Sequence, residues 1–210
     1  MPITMPSFIE RTTSGSNIIP ADTLLQERRV IFLMDPIDRE SASKTIMQLV
    51  IMNSVSDKPI TLVIGSPGGD IQWGLAILDT ISASHCVIKT LSLGLAASMG
   101  SVLLAAGTPG FRYCSHYSRV MIHEPLLANG ISGSCSSIQE TAKQILERKN
   151  IINDLLSKFT QQPRMEVEKA TAYDHFYSAE EAAAWRLVDH VAGNDELMEL
   201  LGGINEYDLG

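Results

Sequence analysis

The stretch PITLVIGSPGG, residues 59–69, decides the fold of this chain. Its first six residues form an apolar, β-branched run that predicts a buried strand, and its glycine- and proline-rich end predicts a tight loop. Apolar residues recur at helical spacing over residues 71–82, which indicates a helix. The same order then repeats, because residues 87–93 predict a strand and residues 98–106 a helix. Strands that alternate with helices predict an α/β fold with a largely parallel sheet.

The regions outside this centre contain further elements of both kinds. In the longest predicted helix, Lys149 is the one polar member of an otherwise apolar stripe. Ser178 and Glu181 have the spacing of a capping box, which predicts the start of another helix. We expect one domain over residues 22–195, an N-terminal arm rich in loop-forming residues over 1–21 and a C-terminal tail over 196–210. The remaining predicted elements are strands at residues 30–33, 119–123 and 187–189 and helices at residues 38–53, 136–159 and 165–169.

The composition excludes several classes of function. The 210 residues carry a net charge of −8 without a basic stripe, which argues against a nucleic-acid partner. Three cysteines do not form a disulfide framework and indicate a reducing compartment. Residues 90–111 are uncharged, but their glycines, serines and proline favour a buried strand, a turn and a helix over a membrane span. The first residues lack the pattern of a secretory signal. We therefore expect a cytoplasmic protein without a membrane partner, and an organelle stroma or matrix remains open.

Ser98 is the candidate nucleophile. It lies in GLAASMG, residues 94–100, where a predicted strand turns into a helix. The first N–H groups of a helix lack intrahelical partners and can bind developing negative charge, helped by the helix dipole. The alternative is that Ser98 only caps the helix, since serine is a frequent N-cap. The stretch is not a Gly-x-Ser-x-Gly nucleophile elbow, because position 96 is alanine.

Three further positions complete a possible hydrolase site. The backbone N–H groups of Gly68 and Met99 could form an oxyanion hole, although a plain turn also explains the glycines. His123 ends a predicted strand and is the candidate base, and Asp174 lies in a predicted loop between helices as its candidate orienter. His175 is a second candidate for the base. The five histidines show no metal-binding spacing.

Taken together, these motifs resemble a known family. The segments SPGG at residues 66–69, GLAASMGS at 94–101, RVMIH at 119–123, and Asp174-x-Phe176 with SAEEA at 178–182 are similar in order and spacing to the proteolytic subunit of Clp protease. The likeness covers most of the chain, from about Ile9 to Val191.

The resemblance implies an ATP-dependent serine endopeptidase with the triad Ser98, His123 and Asp174 and with Gly68 and Met99 as oxyanion donors. It implies a ClpP/crotonase-like spiral of ββα units with a protruding handle helix at about residues 136–159, and the arm over residues 1–21 as an axial loop. Its subunits would form two stacked heptameric rings, homomeric or mixed. An AAA+ unfoldase of the ClpX, ClpA or ClpC type would feed unfolded polypeptides into the chamber. The family needs no metal or organic cofactor.

Several positions depart from the family pattern. Gly65 replaces the common asparagine of the oxyanion loop, Glu124 adds a negative charge beside His123, and Tyr173 replaces an arginine that helps to join the rings. Thr61 and Val63 replace aromatics in the ATPase-docking pocket, so we expect weak docking or a mixed assembly. The rivals are a non-catalytic ring subunit, a crotonase-type acyl-CoA enzyme, which usually employs carboxylates, and a membrane-bound signal-peptide peptidase relative, whose anchor is not seen here.

Overall fold

A computed structural model describes residues 7–12, 15–126 and 132–203 of the chain. The helices of this part are α1 (Ala21–Glu27), α2 (Arg39–Val55), α3 (Ile71–Ala83), α4 (Met99–Ala105), α5 (Cys135–Thr160), α6 (Arg164–Thr171), α7 (Ala179–Ala184) and α8 (Asn194–Leu200). Its strands are β1 (Ser7–Thr12), β2 (Gly15–Pro20), β3 (Val30–Leu33), β4 (Ile60–Ile64), β5 (Ile88–Ser92), β6 (Leu95–Ala97), β7 (Arg112–Ser115), β8 (Arg119–Ile122), β9 (His175–Tyr177) and β10 (His190–Ala192).

The largest sheet has five strands in the order β10-β7-β5-β4-β3, and every pair in it is parallel. All five residues of β4, which lies between β5 and the edge strand β3, are buried, because apolar groups cover both faces of the sheet. One face carries the main core, and the other carries a smaller cluster in which Val63 packs with Leu200 of α8. The expected α/β architecture with a largely parallel sheet is therefore confirmed.

The second face of this sheet includes Thr61 and Val63, the residues expected in the ATPase-docking pocket. Thr61 is 8% exposed and Val63 is fully buried within the single chain. Leu197 and Leu201 pack against the same cluster from the C-terminal side. The two positions are therefore covered, and neither side chain is open to a partner in the part of the chain that the structure describes.

A separate three-stranded sheet carries the order β6-β8-β9. Strands β6 and β8 are parallel, with Ala97 opposite Met121, whereas β8 and β9 are antiparallel, with Ile122 opposite His175. This register brings the C-terminal ends of β6 and β8 and the N-terminal end of β9 to one edge. That edge holds the predicted functional residues.

The chain termini differ from the sequence-based expectation. Residues 7–12 and 15–20 form the antiparallel hairpin β1–β2, so these parts of the predicted arm are strands although their composition is typical of loops. The predicted boundary between residues 195 and 196 falls inside α8. Residues 1–6, 13–14 and 204–210, which belong to the predicted arm and tail, lie outside the described residues.

The last strand was also expected at the wrong place, because it covers His190–Ala192 and not residues 187–189. Leu187 and Val188 are almost fully buried, but their backbone N–H groups donate to Ala182 O at the end of α7. Their burial therefore reflects a packed turn and not a sheet. No helix in the described part of the chain is long and apolar enough to cross a membrane.

Candidate active site

The predicted triad residues lie at one edge of the three-stranded sheet. Ser98 follows the last residue of β6, His123 follows the last residue of β8, and Asp174 precedes the first residue of β9. Because β6 and β8 are parallel and β9 is antiparallel to them, these three positions are neighbours in space. The structure thus brings together residues that are separated by 25 and 51 positions in the chain.

The side chains form a continuous hydrogen-bonded chain. His123 Nε2 lies 2.8 Å from Ser98 Oγ, and His123 Nδ1 lies 3.2 Å from Asp174 Oδ1. The His123 side chain is 15% exposed, whereas that of Asp174 is 61% exposed. With the ring proton on Nδ1 facing the carboxylate, Nε2 is free to accept the proton of the serine hydroxyl. The arrangement can therefore activate an oxygen nucleophile.

Ser98 occupies a strained backbone conformation, with φ 54° and ψ −122°. A serine in this region costs on the order of 1–3 kcal/mol and is held by its surroundings. Its N–H donates to Met121 O at 2.9 Å, and its carbonyl accepts from the Ser101 hydroxyl at 2.6 Å. Its own hydroxyl makes no capping hydrogen bond to α4, so the capping interpretation fails. The strand–turn–helix geometry of a nucleophile elbow is present without its glycine pattern.

The predicted oxyanion loop packs directly against this turn. Gly68 has φ +89°, and a Cβ there would lie 2.6 Å from both Ala97 O and Ser98 Cβ, so only glycine fits. Its N–H donates to the buried Ser66 hydroxyl at 3.1 Å, and that hydroxyl donates to Asp35 O at 2.7 Å. The N–H of Met99, at the start of α4, has no acceptor within the described residues. Of the two predicted donors, Met99 is free and Gly68 is engaged inside its own loop.

A cleft opens beside Ser98 and His123. It encloses about 300 Å³, its mouth included. Its accessible surface is mixed, because polar groups, among them the side chains of Ser98, Ser101 and His123, form almost as much of it as apolar groups do. The apolar part of the wall can contact an apolar side chain next to the nucleophile. The apolar side chains of the wall are Ile71, Met99, Val102, Ile122, Ile152 and Leu156.

Glu124 does not face the base as an isolated charge. Its carboxylate forms an ion pair with Lys149 Nζ of α5, and its N–H donates to Thr171 O at 2.7 Å. Sequence reasoning did not identify Lys149 or Thr171 as part of the site. The signal for Lys149 was present, because it is the single polar residue in the apolar stripe of the long helix.

The other histidines do not contact the nucleophile. His175 stacks on Tyr177, with ring centroids 4.3 Å apart, so the structure does not pair it with Ser98. His85 and His116 face acidic side chains at the surface, and His190 faces Gly110 O. Within the described ranges no group of three or more histidine, cysteine or acidic side chains could hold a metal ion.

A comparison with known families adds to this geometry. The sequence matches the family described as Clp protease over residues 14–195, which is most of the chain. The mixed α/β architecture with its parallel sheet agrees with the ClpP/crotonase-like fold, and the family is one of peptidases. The matched region contains the strained turn, the cleft and the hydrogen-bonded chain described above. The chain therefore belongs to the Clp protease family.

Proposed function

We propose that this chain is the proteolytic subunit of an ATP-dependent Clp protease, a serine endopeptidase that cuts unfolded polypeptides into short peptides. Its triad is Ser98, His123 and Asp174. The observation that carries this proposal is the 2.8 Å contact between Ser98 Oγ and His123 Nε2, made from a strained strand–helix turn. A strained, hydrogen-bonded serine beside a cleft is typical of an acyl-transfer nucleophile.

The reaction follows from the contacts of each group. Ser98 Oγ attacks the carbonyl carbon of a peptide bond while His123 Nε2 takes the hydroxyl proton. Asp174 holds the imidazole in the required tautomer and stabilises the imidazolium. The tetrahedral intermediate collapses when His123 gives the proton to the leaving amine, which leaves an acyl-enzyme. Water, deprotonated by the same histidine, then hydrolyses the ester and restores Ser98.

The negative charge of the intermediate needs donors that are already in place. Met99 N–H supplies the first, because it starts α4 and has no other acceptor in the described part of the chain. Gly68 N–H supplies the second when substrate displaces its hydrogen bond to Ser66. One such donor contributes about 3 kcal/mol of transition-state stabilisation.

The subunit acts in two stacked heptameric rings, homomeric or mixed, to which an AAA+ unfoldase of the ClpX, ClpA or ClpC type delivers polypeptide. Two exposed surfaces support an assembly. The first ten residues of α5 are exposed except for the half-buried Thr141. Helix α2 also presents apolar side chains that are more than half exposed, as expected for a face covered by a neighbouring subunit. These are Met47, Val50, Ile51 and Val55.

The cellular setting and the division of the chain are part of the same proposal. We place the protein in the cytoplasm or in an organelle stroma or matrix, where thiols stay reduced. The three free cysteines, of which Cys86 and Cys114 are buried, are compatible with that setting. We place the protease domain at residues 22–195, between an N-terminal arm and a C-terminal tail whose first residues continue α8.

A second candidate function is a catalytically weak or structural ring subunit of a mixed assembly. The observation that favours it is the hydrogen bond from Gly68 N–H to Ser66 Oγ, which occupies one of the two oxyanion donors. Such a subunit would fold and assemble normally. It would not stabilise the charge that develops during acylation.

Labelling with a fluorophosphonate separates the two functions. The Ser98 oxygen attacks phosphorus, fluoride leaves and His123 takes the hydroxyl proton, so intact mass should increase by one phosphonyl adduct. We expect no adduct on Ser98→Ala and one adduct on the control Ser136→Ala, which changes an exposed serine in the first turn of α5. A folded, assembled wild type that stays unlabelled would contradict the protease and favour the structural subunit.

A further inference from the structure

The segments that carry His123 and Asp174 are joined to each other and to one helix. Glu124, directly after His123, donates its backbone N–H to Thr171 O at 2.7 Å. Thr171 ends α6, three residues before Asp174. A backbone hydrogen bond therefore joins the segment that carries His123 to the segment that carries Asp174, next to α5.

Helix α5 contacts both segments through residues one turn apart. Lys149 Nζ forms an ion pair with the Glu124 carboxylate, and Asn153 contacts the Thr171 hydroxyl at 3.3 Å. Residues four apart lie on the same helix face. This face also supplies Ile152 and Leu156 to the cleft beside Ser98.

The contact at Asn153 joins a buried amide to Thr171. The single proton of the Thr171 hydroxyl faces two acceptors, Val167 O at 2.9 Å and Asn153 Oδ1 at 3.3 Å. Asn153 is fully buried, and its Nδ2 atom as placed has no acceptor in the described residues. A 180° rotation of this amide exchanges its oxygen and nitrogen, so that Nδ2 donates to Thr171 Oγ1 while the Thr171 proton goes to Val167 O. The buried amide of Asn153 then holds Thr171, at the start of the segment that carries Asp174.

The ion pair at Glu124 is suited to fixing geometry. Its side chains are half-buried, with 35% of Lys149 and 37% of Glu124 exposed, so solvent screens the attraction and the contribution to stability is modest. The reaction rate depends more strongly on the position of His123 than stability depends on this ion pair, because a displacement of about 1 Å at a reacting group can cost about 100-fold in rate. Only one peptide bond separates Glu124 from the histidine.

We propose that Lys149 is a positioning residue for His123: its ion pair with Glu124 holds the segment that carries the histidine against α5, while Asn153 holds the segment that carries Asp174. This proposal rests on the proposed function. It adds a role for α5 that differs from lining the cleft. Loss of Lys149 should slow the covalent step without weakening the binding of a ligand in the cleft.

The test measures fluorophosphonate inactivation of the assembled protein and separates its maximal rate constant from its half-saturation concentration. We expect Lys149→Met to lower the maximal rate constant about 10-fold with the half-saturation concentration unchanged. Lys149→Arg should keep the wild-type rate. The charge swap Glu124→Lys with Lys149→Glu should recover most of the loss, because paired changes restore a coupled interaction. Lys143→Met, on the same helix, is the matched control, because Lys143 forms its ion pair with Glu147 of α5 itself and not with a triad segment.

The outcomes distinguish the two proposals. A wild type that does not react overturns the proposed function and this role of Lys149 with it. A reactive wild type overturns the role of Lys149 alone if Lys149→Met reacts within twofold of it, or if Lys143→Met is slowed equally. Should Lys149→Met fail to fold, Glu124→Leu, which removes the same ion pair from the other side, must show the same slowed rate constant. A wild-type rate constant in that variant would contradict the proposal.

Discussion

Two aspartates of this protein, Asp174 and Asp189, face positively charged or titratable partners in opposite settings. Asp189 is largely buried and accepts hydrogen bonds from Gly110 N–H and from the backbone and guanidinium of Arg112. Asp174 is mostly exposed, and the described residues offer it one hydrogen bond, from His123. A carboxylate with many buried donors holds structure together. An exposed carboxylate with a single donor can respond to the charge of its partner, as the proposed reaction requires.

The partners of Asp189 show the same contrast. The Arg112 guanidinium also donates to three carbonyls, Ala105 O, Phe159 O and Arg186 O. Arg112 lies in β7 and therefore connects the five-stranded sheet to α4, to α5 and to the residues just after α7. Burial opposes ionisation of Asp189, but the hydrogen bonds and charge of Arg112 outweigh it and hold the pKa of Asp189 below its ordinary value. We call Arg112 and Asp189 the anchor pair.

The largest effect is expected at Asp174. Asp174→Asn should lower the rate of peptide hydrolysis about 10⁴-fold, because an amide no longer selects the productive tautomer of His123. The midpoint of thermal unfolding should change little, since the carboxylate is exposed and has one partner. Hydrolysis of a fluorogenic peptide and a thermal melt of the same sample check both halves. A variant as active as the wild type would remove Asp174 from the triad.

At the anchor pair we expect the main effect on stability and not on the reaction rate. Asp189→Asn should lower the free energy of unfolding by about 3–5 kcal/mol, because it leaves the Arg112 charge buried without a counter-ion. Denaturant unfolding measures this loss, and Asp195→Asn, in the first turn of α8, serves as the control.

The pH dependence of stability tests the same pair. The folded-state pKa of Asp189 lies below its unfolded value of about 4. The stabilisation is therefore complete above the unfolded pKa and is lost as the pH falls through the folded pKa. Asp189→Asn should lack this part of the acid sensitivity. Equal acid sensitivity in variant and wild type would show that the pair contributes little.

A smaller effect on rate is expected from Gly68→Ala. The new Cβ would lie 2.6 Å from Ser98 Cβ, so the loop must move by an appreciable fraction of an ångström, and we expect about a 100-fold loss of rate. Gly110→Ala is the matched control, since Gly110 has the similar φ of +86° but no atom within 4 Å of an added Cβ. Both variants should lose stability through the positive φ, and Gly68→Ala should lose more because its Cβ also clashes. Equal rates in the two would show that the contact with Ser98 does not matter.

The smallest effect is expected at Tyr177 of β9. Its hydroxyl is buried without a hydrogen-bond partner in the described residues, and burial, with the charge of Glu181, raises the pKa of Tyr177 to about 12. Because an unpartnered buried hydroxyl is unfavourable, Tyr177→Phe should leave the free energy of unfolding unchanged or raise it by about 1 kcal/mol. Tyr173→Phe, at an exposed position, should be neutral. A clear loss in Tyr177→Phe would reveal a polar anchor in the triad sheet.

Sequence reasoning succeeded where local pattern and burial agree. The strand at β4, the helices α2 and α5 and the capping box at Ser178 were predicted within two residues, because each has a long apolar period or a specific cap. The predicted triad residues also lie together in the structure. The positions came from motif spacing and the resemblance, since a serine, a histidine and an aspartate each have commoner structural uses.

The remainder depends on pairing between distant segments. Strands β6 and β9 have three residues each, too few for a periodic signal, and exist because β8 lies between them. The hairpin β1–β2 contains many residues that are typical of loops. The strain at Ser98 could not be predicted either, because it is imposed by the contacts of Met121 O and of the Gly68 loop around the turn.

The three-stranded sheet also ties activity to the order in which the polypeptide is synthesised. Ser98 and His123 leave the ribosome well before Asp174 and the strand that follows it. A nascent chain that ends before residue 175 has its serine and histidine but lacks β9, which holds the aspartate opposite β8. If Ser98 is the nucleophile that we propose, it can be fully activated only after most of the chain has emerged and folded. Translation would then delay the appearance of the proposed hydrolytic site until the subunit is nearly complete.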